Sequence, residues 1–250
     1  MRNTYLKKLK NKIKPYQKDK TSKKKQIAKM FDNIAARYDF LNHFLSLGID
    51  IIWRKIAVRE IAKINPKIIL DVATGTGDLA IEISKLKPKK IIGIDISNNM
   101  LNVGRKKMIK KSLDHLIDMQ YGDSESLNFN DNTFDAITAG FGVRNFENLD
   151  KGLKEIYRVM KCGGKLAILE PSEPKIFPFK QFYGLYFKGI LPLIGKFFSK
   201  DNSAYEYLPN SVVEFPSREA FVRELEKVGF KDSKFKSLTF GIAALYTASK

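Results

Sequence analysis

The chain has 250 residues, 44% of them hydrophobic, enough to bury one large core or at most two small ones. One cysteine, Cys162, excludes an internal disulfide and a thiolate cluster, and two histidines, His43 and His115, leave little for any other metal site, so no metal and a reduced cytoplasmic setting are expected. The net charge of +18 is uneven: residues 1–29 carry +11 of it, leaving +7 for the rest, so the excess does not mark the body as a nucleic-acid binder.

Residues 1–25 read as a basic, disordered tail, because lysine-rich segments with few apolar residues bury too little to fold. The same lysines suit a tether to anionic lipid, at about 1 kcal/mol for each one near the surface. Nucleic acid ranks third and is not expected as a partner, since no basic stripe is interleaved with stacking aromatics. Residues 1–30 hold no apolar segment of the kind a secretory signal needs. No uncharged apolar run reaches the roughly 18 residues of a membrane span. The chain is expected to be cytoplasmic, either soluble or peripheral at the inner face of the membrane, and a homodimer is left open.

From residue 26 a single domain is expected to run to 250, opening with a helical cap over 26–65. Ile27, Met30, Phe31, Ile34, Tyr38 and Leu41 recur at three- and four-residue spacing and predict a helix over 24–47. A second helix carries Trp53, Ile56, Ile61 and Ile64 and ends at Pro66. Strands then alternate with helices: strands at 67–72, 90–96, 118–123, 133–140 and 164–170, and helices at 78–86, 99–111 and 148–161. Short apolar strands separated by helices imply a doubly wound parallel sheet covered on both faces. Residues 171–216 interrupt the pattern as an aromatic-rich insertion, a helix follows at 217–229, and 230–238 with 240–249 predict a closing antiparallel hairpin. The fold class is therefore α/β, seven-stranded and Rossmann-like.

The strand ends carry the chemistry. In "LDVATGTGDLA" (70–80), Gly75 and Gly77 lie between a strand and a helix, where residues without Cβ let backbone N–H groups approach a ligand closely. Asp95 ends the second strand about twenty residues on, placed to accept hydrogen bonds from a ribose. The third glycine of the dinucleotide fingerprint is missing, and Asp71 ends the first strand. An acid there disfavours a pyrophosphate and suits a cationic ligand such as S-adenosyl-L-methionine. Asp123, after the third strand, can accept from an adenine amino group and Ser124 offers a further hydrogen bond, although Asp123 alone would also read as a turn residue.

Three segments, "YDFLNHFLSLGIDIIW" (38–53), "FGVRN" (141–145) and "RVMKCGGKLAILEPS" (158–172), resemble the quinone-biosynthesis C-methyltransferases that act on demethylmenaquinol and on the corresponding ubiquinone precursor, within the class I methyltransferases. The likeness spans about residues 30–250. It implies methyl transfer from S-adenosyl-L-methionine to a ring carbon of a prenylated hydroquinone lipid, with Thr76, Asp95, Asp123 and Ser124 touching the donor and Gly75 and Gly77 shaping the loop. Three positions depart from the family's usual residues: Cys162 for proline, Asp50 for histidine and Gly140 for serine.

Ring methylation needs a phenolate, so a cation is wanted where the oxygen sits. Arg144, at the mouth of the fourth strand, is the candidate, with Asn145 orienting the ring oxygen. The bland alternative pairs Arg144 with an acid such as Asp39 and makes Asn145 a helix cap. Tyr38 and Asp39 are the preferred groups to hold a substrate hydroxyl or a bridging water, while Tyr38 also fits a packing stripe and His43 is a weaker candidate base. Residues 177–198, with eight aromatics in twenty-two residues, read as an interfacial lid or as a buried aromatic cap. A nucleic-acid methyltransferase is the more distant alternative.

Overall fold

A computed structural model describes residues 13–185 and 203–250. Residues 1–12 of the expected tail and 186–202 of the expected aromatic-rich insertion, with most of its 177–198 lid, lie outside the described residues. Seven strands form one sheet in the order β3-β2-β1-β4-β5-β7-β6, and β7 alone runs against the direction of the others. The strands are β1 (Ile68–Val72), β2 (Lys90–Asp95), β3 (Ile117–Tyr121), β4 (Phe134–Gly140), β5 (Met160–Pro171), β6 (Lys231–Leu238) and β7 (Ala243–Ser249). The helices among the described residues are α1 (Lys23–Leu45), α2 (Ile49–Ala62), α3 (Asp78–Ser84), α4 (Asn98–Lys110), α5 (Leu149–Val159), α6 (Phe179–Leu185), α7 (Ser203–Glu214) and α8 (Glu219–Val228).

Side chains alternate across each strand, so the apolar runs feed two cores. On one face, Leu70, Val72 and Ile137 pack with Leu153 and Ile156 of α5 and with Phe221 of α8. On the other, Ile69, Ile91 and Ala136 pack with Ala57 of α2, Ile83 of α3 and Met108 of α4. Each α5 turn places its apolar residues on the buried side, as Leu153, Ile156 and Val159 show. Asn148 caps that helix by accepting from the Lys151 N–H at 3.1 Å, the role the sequence had offered to Asn145.

Three boundaries differ from the sequence expectation. Part of the expected tail is held: the Tyr16 N–H donates to Gln26 Oε1 at 3.0 Å, and Ile13 and Tyr16 pack against Ile27 and Met30, so α1 begins at Lys23. β5 begins at Met160 because α5 stops at Val159 and Met160 is already extended against Phe134. β7 begins only at Ala243, because Thr239, Phe240 and Gly241 all adopt positive φ and form a one-turn 3-10 segment instead. The Trp53 indole N–H donates to Thr239 Oγ1 at 2.8 Å and ties that turn to α2.

Phe134 is fully buried and meets Phe129 edge-on at 5.0 Å between ring centroids. Phe134→Ala is expected to lower the unfolding free energy by about 3–5 kcal/mol, read from urea denaturation.

Candidate active site

The chain leaves β1 toward one face of the sheet and β4 toward the other: α3 packs its Leu79, Ala80 and Ile83 on the α2–α4 side, whereas α5 packs on the opposite side. Neighbouring parallel strands whose continuations diverge leave an opening at their carboxyl ends. A crevice enclosing about 650 Å³, part of it open to solvent, lies there. Gly75 lines it after β1, Asp95 and Ile96 after β2, Asp123 and Ser124 after β3, and Phe141 and Asn145 after β4. The loops after β1 and β4 almost touch: a Cβ on Gly142 would sit 2.4 Å from the Ala73 Cβ.

Gly77 begins α3 at φ 83, a left-handed conformation that favours glycine, while the nearest neighbour of a Cβ there would be the movable Met108 methyl. Gly75 also has positive φ, and its N–H donates to Asp95 Oδ2 at 2.8 Å. Asp95 Oδ1 accepts from the Ser97 N–H at 2.8 Å. The carboxylate is thus fixed by backbone on both oxygens and keeps lone pairs for a ligand. Burial pushes the Asp95 carboxyl up to about 6, against the lowering effect of those N–H groups.

Asp71 sits beneath the loop and does not line the crevice. It is completely buried, and its two oxygens accept from Thr74 Oγ1 and Thr138 Oγ1, each at 2.6 Å. Burial raises it to about 6 as well, despite both hydroxyls. Thr76 is also turned away from the opening. Its hydroxyl donates to Asp39 Oδ1, and Lys107 Nζ joins both, reaching Asp39 Oδ2 at 2.7 Å and Thr76 Oγ1 at 3.2 Å while also binding Asp78. Asp39 is therefore paired with Lys107 rather than with Arg144. His43 belongs to the same ionic cluster, 2.9 Å from Asp50 and 3.5 Å from Asp78, with Arg54 bound to Asp50.

Helix α1 forms one wall. Lys24, Ile27, Phe31 and Tyr38 face the crevice from it. Lys24 Nζ binds Asp123 Oδ2 at 2.6 Å and Glu125 Oε2 at 3.2 Å, while Asp123 Oδ1 accepts from the Glu125 N–H at 2.9 Å, which is the turn geometry the sequence allowed. Tyr38 packs edge-on against Phe31, with ring centroids 5.9 Å apart, and burial raises its phenol above the usual value. Packing residue and crevice residue are the same side chain here.

At the mouth of β4, Arg144 is bound to Glu170, the buried end of β5. Its Nη1 donates to Glu170 Oε2 at 2.9 Å and to the Phe141 carbonyl, and Nε donates to Ser211 Oγ at 3.3 Å. Glu170 Oε1 accepts the Val143 N–H at 2.6 Å and the Arg144 N–H at 3.3 Å, which fixes the turn carrying both residues. The guanidinium side chain is only 6% exposed and the carboxylate wholly buried, so neither oxygen of Glu170 is left to water. Asn145 lines the crevice, and its Oδ1 accepts from the Tyr207 hydroxyl of α7 at 3.1 Å.

Glu170, Lys24 and Tyr207 were not singled out from the sequence. An acid at the end of an apolar strand was the signal that found Asp95, and the same signal marks Glu170 in "LAILEP". Lys24 was hidden among neighbouring lysines, and Tyr207 comes to Asn145 across 62 residues.

The profile of the ubiE/COQ5 methyltransferase family matches residues 19–250. The chain is similar to the demethylmenaquinone methyltransferase of Bacteroides fragilis, 52% identical over 240 residues that cover 96% of this chain and 98% of that protein. It is 49% identical, over 92% of its own length and 98% of the relative's, to the ubiquinone/menaquinone biosynthesis C-methyltransferase UbiE of Geotalea daltonii. Among solved structures, a putative S-adenosyl-L-methionine-dependent methyltransferase of Methanococcus maripaludis shares the fold at 22% identity and a TM-score of 0.57, covering 94% of this chain and 96% of that one.

Truncating one partner of a buried ion pair strands the other charge. Glu170→Ala is expected to cost about 3–5 kcal/mol of unfolding free energy, measured in denaturant. An unchanged unfolding midpoint would show that the guanidinium finds equal solvation elsewhere.

Proposed function

Because the chain belongs to the ubiE/COQ5 methyltransferase family, we propose that it transfers a methyl group from S-adenosyl-L-methionine to a ring carbon of demethylmenaquinol, giving menaquinol. The observation that carries the reading onto this chain's own residues is the convergence of Asp95, Asp123 and Asn145 on one crevice at the β1–β4 opening. C-methylation of the polyprenyl-benzoquinol precursor of ubiquinone is the second reading, favoured by the joint ubiquinone and menaquinone name of the Geotalea relative.

The crevice suits the donor. Asp95 and Asp123 face it from adjacent strand ends, each with acceptor capacity left beyond its present partners. Asp95 would hold the ribose hydroxyls, while Asp123 and Ser124 would hold the adenine edge. Asp71 supplies negative charge from beneath the loop and keeps Thr74 in place. Thr76 and Asp39 brace the start of α3 through Lys107, while Gly75 and Gly77 shape the turn. When bound, S-adenosyl-L-methionine supplies a sulfonium methyl group to a nucleophile in line with the carbon–sulfur bond.

The protein's own task is to make the ring carbon that nucleophile. Asn145 would hydrogen-bond the ring oxygen through its amide N–H₂, since Tyr207 holds its Oδ1. Arg144 does not itself line the crevice; held by Glu170, Phe141 and Ser211 behind the turn that carries Asn145, its positive charge would favour the phenolate over the phenol from there. Tyr38 stays protonated, because burial raises its phenol, and would serve as a donor that orients the substrate, with the phenolic proton passing to water. The setting is cytoplasmic or the adjoining membrane surface, where a prenylated hydroquinone resides. Among the described residues no helix is long and apolar enough to cross a membrane, and no cluster of His, Cys, Asp or Glu could hold a metal ion.

Two outcomes follow for purified protein. Arg144→Lys keeps a buried cation but loses the forked contacts. It should lower kcat for demethylmenaquinol methylation by about 10²–10³ while the affinity for S-adenosyl-L-homocysteine changes less than about threefold. Full activity would remove Arg144 from the chemistry. Because Asp95 has a raised pKa of about 6, its ionised form is lost as pH falls through that value. S-adenosyl-L-homocysteine should therefore bind more weakly at pH 5 than at pH 7, by up to about tenfold per unit below about 6, and Asp95→Asn should flatten the profile in calorimetric titrations.

A further inference from the structure

Four exposed apolar side chains lie on two short pieces of chain that a hydrogen bond joins. At the corner between α1 and α2, Leu47 is 84% exposed, and Ile51 and Ile52 on the first turn of α2 are 44% and 54% exposed. Phe240, in the turn before β7, is 60% exposed. Trp53 follows Ile52 and turns inward, donating its indole N–H to Thr239 Oγ1 at 2.8 Å, so the Ile51–Ile52 edge and Phe240 are neighbours. The Phe240 ring stacks at 3.8 Å on Phe179 of α6, and the segment leading into that helix exposes Ile176 and Phe177, the latter by 77%.

Leu47, Thr239 and Phe240 all hold positive φ, a region that non-glycine side chains enter at a cost. A chain that accepts such a cost to keep a leucine and a phenylalanine in water uses them there. Lysines border the patch. Lys55 follows Ile51 by one helical turn, Lys175 precedes Ile176 and Lys180 follows Phe179; all three are exposed, and none is ion-paired among the described residues. Glu173 is the exposed acid beside them.

We propose that this face, made of the α1–α2 corner, the Thr239–Gly241 turn and the approach to α6, seats in the interfacial layer of an anionic bilayer and passes the prenyl chain of the substrate inward toward the crevice. Apolar side chains entering the acyl boundary, ringed by lysines that reach back to headgroup phosphates, are the composition such a layer selects. The charge complementarity favours an anionic lipid surface over a second copy of this chain, whose matching face would bring the same lysines together. The face also backs onto the site: the Trp53 ring lies 6.1 Å from Phe141, which lines the crevice. One layer of aromatic side chain thus separates the exposed face from the site. The substrate part of this inference rests on the proposed methylation of a prenylated hydroquinone, whereas the lipid-binding part does not.

The test uses the full chain and a Leu47→Ser, Ile52→Ser, Phe240→Ser variant, with Lys55→Glu, Lys175→Glu as an independent second variant that leaves the apolar residues intact. Co-sedimentation is measured with vesicles of phosphatidylcholine mixed with phosphatidylglycerol and with vesicles of phosphatidylcholine alone. Turnover is measured in detergent on demethylmenaquinol bearing one short prenyl unit. The wild type should prefer the anionic vesicles. The serine variant should lose vesicle binding by roughly tenfold or more, and the glutamate variant should lose the preference for phosphatidylglycerol, both with unchanged unfolding midpoints and short-chain turnover. Undiminished vesicle binding by the serine variant overturns the proposal, as does a wild type that ignores vesicles. Loss of a wild-type dimer in sedimentation velocity, without vesicle binding, also overturns it and gives the face to a second copy. Retained vesicle behaviour with no turnover of demethylmenaquinol by the wild type would leave the membrane face standing and reject the substrate.

Discussion

Everything at the site depends on β1 and β4 being paired while the chain beyond them goes to opposite faces of the sheet. The divergence leaves the carboxyl ends of both strands facing a crevice that side chains line. The loops approach so closely that only a glycine fits at position 142 beside Ala73. Asp95, Asp123 and Asn145 reach one ligand-sized volume because each sits at or just beyond the carboxyl end of a different strand, β2, β3 and β4.

Groups that are costly to bury surround the opening, Asp95 lining it and Asp71, Arg144 and Glu170 bracing it from behind. Asp71 and Asp95 are both pushed up to about 6 by burial, which means each carboxylate is less favourable in the folded protein than in water. Each contributes stability that is present below the ordinary carboxylate pKa and lost as pH rises through about 6. A fold selected for stability alone would replace them with apolar residues. Their retention makes sense if a ligand with donor groups and positive charge offsets the cost when it binds, which is the chemistry of the proposed methyl donor. Arg144 and Glu170 follow the same logic in a different form: a buried pair holds a cation at a fixed place without leaving either charge unpartnered.

The cap formed by α1 is joined to the rest of the domain by ion pairs and by an apolar cluster that lies between them. Lys24 reaches Asp123 and Glu125 at one end, and Asp39 reaches Lys107 nearer the other. Between them Ile27 and Met30 bury against Met100 of α4. An arrangement of this kind closes the crevice on one side while keeping its polar groups partly hydrated, so the wall and the ligand compete for the same carboxylate at Asp123.

The sequence by itself determined the α/β class, the alternation of elements and the position of the glycine turn, because periodicity and strand-end residues are local properties that burial on two faces imposes directly. It also placed Asp95, Asp123, Arg144 and Asn145 at strand mouths. Tertiary structure alone decided which of them meet. Asp71 and Thr76 lie next to the crevice in sequence yet point away from it, since Thr138 and Lys107, from distant elements, satisfy them better than an opening filled with water would. Arg144 found Glu170 rather than Asp39 because β4 and β5 are neighbours in the sheet, a pairing that no local pattern encodes. The late start of β7 has the same origin: Thr239 holds its turn through Trp53, 186 residues away, and a contact at that separation is fixed only when the whole sheet has closed.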